Sequence, residues 1–197
     1  MIVIDWFVQL LPFAYLLITA GLILGLLKSK NWIKPAVIIV LALQALQAGL
    51  LIFGQYYLWS HNAFSQGFLP PYTPLSYFIE YVGYRFVLPF IFSVFIALIF
   101  YFLAKILNRR FQNRLFYEDE PGLIFYGIIV VGHPLWLFYF FAILASAIIF
   151  YLFASVSKKL KFGEVFSLRY LWLIIAFLIL VFSQTILNLS IINSLKF

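Results

Sequence analysis

The chain has no cysteine, only six acidic residues, and charge at just 10% of its 197 positions. The absence of cysteine removes disulfides, thiolate nucleophiles and zinc sites with sulfur ligands. The two histidines, His61 and His133, are isolated from one another and do not make a metal site, so no metal or cofactor is expected. Soluble domains carry charge on about a quarter of their residues, and that class is excluded by its scarcity here. The N-terminal MIVIDWF has an acid where a secretory signal has a basic region, so the first apolar stretch is expected to be retained.

Apolar residues take up what charge leaves free: 66% of positions are hydrophobic and 22% aromatic. Runs of about 18 or more apolar residues recur along the whole length, which predicts a single integral membrane domain over 1–197 with the lipid bilayer as its first partner. The net charge of +7 comes from 13 Lys and Arg residues lying mostly in short connections, where membrane orientation needs them. No basic face of a folded domain exists to bind nucleic acid, so none is expected as a partner. The aromatic excess reads as lipid-facing and packing bulk, because no haem or quinone ligand pattern accompanies it.

Taken in order, a first span is predicted over 2–27, interrupted by Asp5, Gln9, Tyr15 and Thr19. A second runs over 35–59 from Pro35, with Gln44 and Gln47 three apart on one face. The stretch 60–77 has three prolines and no Lys or Arg, and reads as a loop. A third span covers 78–107 and opens with Glu80 and Arg85. Pro121 to Val131 is too short to cross about 30 Å of hydrocarbon at about 1.5 Å per residue. Gly132-His133-Pro134 then reads as a turn, followed by spans over 135–153 and 170–192.

Loop charge arbitrates the crossing number. If the short segment crosses, the connections 28–34, 105–114 and 156–169 share one side and hold three, four and four of the 13 basic residues. The positive-inside rule then predicts an all-α bundle of six spans with a short fourth helix, both termini outside, and these three loops on the cytoplasmic side of the cell membrane.

Chemistry concentrates between Lys105 and Pro134. Glu118, Asp119 and Glu120 make up half of all the acids in the chain and stand immediately before Pro121. Acidic residues before a first-turn proline also make an ordinary helix start, favoured by the helix dipole. At the mouth of a short span, carboxylates carry a functional reading as well. Ile33-Lys34-Pro35 opening one helix, Phe116-Tyr117-Glu118-Asp119 before a short helix, and the tail Phe162-Gly163-Glu164 leading into the last span together resemble the type IV prepilin peptidases and related intramembrane aspartyl peptidases. In that family one catalytic Asp precedes an Ile-Pro pair and the second lies in a Gly-x-Gly-Asp motif. Here the family's spacing reaches Lys28 where the first Asp would stand, and both glycines of the second motif are missing.

Aspartyl proteolysis needs two carboxylates that share a water and a proton. Asp119 with Glu118 or Glu120 is the only local pair, and neighbours on a helix point about 100° apart. The resemblance therefore implies the architecture without the dyad, with Lys28 paired to Asp119 across the inner ends of helices one and four. A second polar set, Asp5, Glu80, Arg85, Gln44, Gln47, Gln184 and Asn188, lies toward the other side, either as interhelical hydrogen bonding or as a cavity in which Arg85 holds an anionic group. The expected role is binding or scaffolding a hydrophobic helix of another membrane protein. An active prepilin-type peptidase and a small transporter or channel component are the alternatives.

Overall fold

The structure, a computed structural model, describes residues 2–26, 30–111, 116–156 and 169–188. Among these, every regular element is helical. Helix α1 (Ile2–Leu26) is followed by a 3₁₀ turn at Lys30–Trp32 and then α2 (Ile33–His61). The proline-rich stretch stays irregular except for a 3₁₀ turn at Gln66–Phe68. Pro74, at φ −57° and ψ 144°, fixes where α3 (Leu75–Val82) begins.

A π-helical turn, Gly83–Val87, joins α3 to α4 (Leu88–Arg110), and the three run as one 36-residue helical segment. The cause is Pro89. A proline inside a helix has no N–H and its ring presses on the carbonyl four residues back, here that of Arg85, so the ladder takes up an extra residue just before it. Arg85 consequently sits in the widened turn.

Glu118 and Asp119 form a turn before α5 (Glu120–Val131), and Pro121 occupies its first turn. The helix has 12 residues, about 18 Å of rise. It stops at Gly132, whose φ of 72° and ψ of 177° are a backbone conformation accessible essentially to glycine alone. Helix α6 (Trp136–Val156) and helix α7 (Arg169–Val181) follow; a break at Phe182 separates α7 from the five-residue α8 (Ser183–Leu187). The continuous last span expected over 170–192 is thus interrupted, and its final residues lie outside those described.

Relative directions follow from shared neighbours. Ile33 and Lys34 at the start of α2 border the same cleft as Asp119 and Gly122 at the start of α5, together with Tyr101 and Lys105 late in α4. Gln44 and Gln47, further along α2, meet Gly132 and His133 at the far end of α5 and Arg85 ahead of α4. Helices α2 and α5 therefore run parallel, with α4 opposed to both.

Helix α5 is the centre of the bundle, and ten of its residues are buried, Glu120 completely. The surrounding helices instead turn large apolar side chains outward at helical spacing: Leu10, Phe13 and Leu17 on α1, Ile91, Phe95 and Phe102 on α4, Phe141, Leu144 and Ile148 on α6, Ile174 and Leu178 on α7. An outer surface of this kind suits lipid rather than water. By length and apolarity, two helical segments among the described residues, Ile33–His61 and Leu75–Arg110, could cross a membrane.

Buried polar contacts pin α5 to its neighbours. The Thr19 hydroxyl donates its one proton to the carbonyl of Tyr15 at 2.7 Å, so at the 2.8 Å contact between Thr19 and Tyr126 the phenol is the donor. Tyr15 in turn donates to Gln47 Oε1 at 3.2 Å, and Gln44 Nε2 donates to the Ile129 carbonyl at 2.6 Å. A double-mutant cycle of Thr19→Val and Tyr126→Phe is expected to give a coupling of about 0.6 kcal/mol, the usual size of such pairs in membrane bundles. Thermal unfolding of the four proteins in one detergent measures it, and strict additivity would remove the contact.

Candidate functional site

Two sites lie at the two ends of α5. At its start, the side chain of Asn108 on α4 clasps the backbone of Phe116, donating to its carbonyl at 2.8 Å and accepting from its N–H at 3.0 Å. That clasp returns the chain onto α4, and Glu118 and Asp119 come to border one cleft with Lys105. The resulting cleft, about 510 Å³, lies between α2, α4 and α5. Its walls are apolar, with Ile33, Val37, Leu98 and Phe125, while Lys34, Lys105, Glu118 and Asp119 provide the charge. Lys105 holds its ammonium 4.5 Å from the centroid of the Tyr101 ring, a cation–π arrangement that keeps the charge at the wall. Glu118 also borders a second hollow of about 510 Å³ with Asn108 and Arg109.

The acidic triplet divides. Glu118 is exposed and Asp119 half-buried, and both border the apolar cleft. Glu120 is the first residue of the helix and is fully buried, away from the cleft. Glu118 and Asp119 precede the helix, so the divergence expected of neighbours within a helix concerns Glu120 and the residues after it. Neither Asp119 nor Glu120 is without a partner. The Lys28–Asp119 pair lies outside the described residues because Lys28 does. Within them, the lysines bordering Asp119's cleft are Lys34 and Lys105. Among the described residues no group of three or more His, Cys, Asp or Glu side chains could hold a metal.

At the far end of α5, Gln44, Gln47, Arg85, Ser93 and His133 surround a cavity of about 210 Å³. Three members of the polar set read from the sequence converge here. Three others do not: Glu80 is exposed in a separate hollow with Tyr77, Tyr81 and Tyr84, and Gln184 and Asn188 are exposed beyond the break at Phe182; the seventh, Asp5, has its side chain outside the described residues. Arg85 borders both hollows and leans on aromatic faces, 5.9 Å from the Tyr81 centroid and 6.0 Å from that of Phe86.

Ser93 and His133 were not read as members of this cavity. Ser93 carries no spacing signal of membership, because the π-helical turn at Gly83–Val87 shifts its phase relative to Arg85; its hydroxyl donates to the Pro89 carbonyl at 2.8 Å. His133 packs edge-on against Phe92 with centroids 5.3 Å apart, placed by the glycine turn that ends α5. Comparison with family models, with curated proteins and with solved structures finds no match to this chain.

Proposed function

We propose that the chain is a six-crossing protein of the cytoplasmic membrane, prepilin-peptidase-like in architecture without the aspartyl dyad, whose cleft beside α5 receives a hydrophobic helix of another membrane protein. The observation that carries the reading is the cleft itself: apolar walls with Lys34, Lys105, Glu118 and Asp119 bordering it. A partner helix buries its apolar flank there and brings its interfacial charges to the four ionic groups. Outward apolar ridges on α1, α2, α4, α6 and α7 support five lipid-facing crossings. The sixth, α5, is enclosed by them. An enclosed helix touches protein instead of lipid, so its about 18 Å need not match the hydrocarbon thickness, and hollows at both ends carry polar groups to it.

Because the chain contains no native cysteine, single cysteines report topology without background. Ser65→Cys and Ser157→Cys are expected to react with an impermeant maleimide from opposite faces of intact cells, the first from outside. Arg110→Cys is expected to behave like Ser157→Cys. Labelling of Ser157→Cys from outside would leave α5 uncrossed and end the six-span arrangement.

One observation favours a second reading. Glu118 and Asp119 border the same cleft, so a carboxylate pair of peptidase type has an apolar groove for its substrate. In that case Asp119→Asn abolishes cleavage, whereas the binding role survives it.

A further inference from the structure

We infer that the cavity at the far end of α5 is a phospholipid headgroup site, with Arg85 taking the phosphate and Gln44 taking a hydrogen-bond donor on the headgroup. Three independent features meet there. First, the π-helical turn that Pro89 forces puts Arg85 at the wall of the cavity, and a guanidinium is the side chain best shaped for phosphate oxygens. Among the described residues no other Lys or Arg borders this space.

Second, Gln44 is fixed by the bond from its Nε2 to the Ile129 carbonyl, which leaves its Oε1 buried with no hydrogen-bond partner. A buried amide oxygen without a donor is costly, and the ligand that relieves it must bring an N–H or O–H. Gln47 is held by the same logic: its Oε1 accepts from Tyr15, so its amide N–H groups are what it can offer to an anion. The lining thus asks for an anion and a donor in one small group. A volume of about 210 Å³ accommodates a headgroup and not a whole lipid, whose acyl chains would remain in the bilayer.

Third, the depth is right. Trp59 stacks with Tyr77 at 6.3 Å and lies 4.8 Å from Tyr81, so α2 and α3 share a belt of amphipathic rings of the kind found at headgroup level. Arg85 lies one turn beyond Tyr81, against its ring. In the six-crossing arrangement proposed above, on which this inference rests, its charge falls just inside that belt, from which a long guanidinium side chain reaches outward to the phosphates of the outer leaflet. Phosphoethanolamine free in solution carries the same two groups; the position under the belt assigns the site to the lipid.

The full chain, reconstituted in nanodiscs of phosphatidylcholine doped with a second lipid, is released into the gas phase and its retained lipids are weighed. Phosphatidylethanolamine is expected to be retained about tenfold over phosphatidylcholine, whose trimethylated ammonium has no donor, with the N,N-dimethyl headgroup in between because it keeps one N–H. Arg85→Gln is expected to lower retention of every phospholipid about tenfold, and Arg85→Lys to restore part of it. Arg85 is exposed, so helicity and melting temperature should be unchanged in both variants. Equal retention across the methylation series would overturn the role of Gln44, and undiminished retention in Arg85→Gln would overturn the site. Titration of free phosphoethanolamine into phosphatidylcholine nanodiscs is expected to give no Arg85-dependent heat; if it does while the lipids are retained equally, the ligand is soluble and the lipid assignment fails.

Discussion

Alanine at Gly127 is expected to cost about 2–3 kcal/mol of stability, the upper part of the range for overpacking a close-packed interior. A methyl group built there would stand 2.0 Å from the Tyr139 hydroxyl oxygen and 2.4 Å from its ring carbon Cζ. The tyrosine has nowhere to go, since its side chain is fully buried and its hydroxyl donates to the Trp172 carbonyl at 3.1 Å. Gly127 is thus the point where α6 crosses α5 and reaches α7, and one added carbon pushes all three apart. Tyr139→Phe should not rescue the variant, because Cζ remains; Gly127→Ala with Tyr139→Leu should recover part of the loss. Thermal unfolding in detergent, followed by helicity, measures each. A Gly127→Ala protein melting with the wild type would mean that α5 and α6 do not approach as described.

The sequence carried the punctuation of this fold and little of its pairing. Pro35, Pro121 and Gly132-His133-Pro134 marked helix starts and a turn because each acts on its own backbone, and α2, α5 and α6 begin or end within a few residues of those marks. The break at Phe182 was not legible, since it occurs with neither glycine nor proline at the residue itself. The π-helical turn was hidden for a different reason: Pro89 was visible, but how a helix absorbs an internal proline depends on the packing around it. The polar set was half legible. Gln44 and Gln47 share a face by spacing alone, and they do line one cavity. Whether Glu80 or Arg85 joins them depends on the phase of the helix after an inserted residue, which spacing cannot supply. Glu120 differs from Asp119 by one position, yet one is sealed in the bundle and the other borders the cleft, a distinction made by where the helix starts.

Introducing a carboxylate into the wall of the cleft is expected to separate the two functional readings by the largest margin. Val37 and Leu98 line it from α2 and α4, and Leu98 is 40% exposed, so a glutamate there need not be sealed inside the isolated bundle. A partner helix closing over it must bury the charge. At about 2.5–3.5 kcal/mol for an acid at membrane depth, and tenfold per about 1.4 kcal/mol, occupancy falls by roughly a hundredfold. A photoreactive amino acid at Ile38, which borders the same cleft and is 66% exposed, is therefore expected to give a covalent adduct with the membrane-spanning segment of a partner. The adduct should vanish in Leu98→Glu and persist in Asp119→Asn. Peptide mapping of the adduct tests the nature of the partner, and attachment to lipid alone, or undiminished attachment in Leu98→Glu, removes the docking role. If Asp119→Asn instead converts a transient contact into an accumulating, uncleaved adduct, the cleft is a protease's groove and the carboxylates beside it are its chemistry. The same four charged groups serve both roles, so the outcome turns on Asp119: as a docking charge it is one of four and replaceable by an amide, whereas as half of a proton-sharing pair it tolerates no substitute.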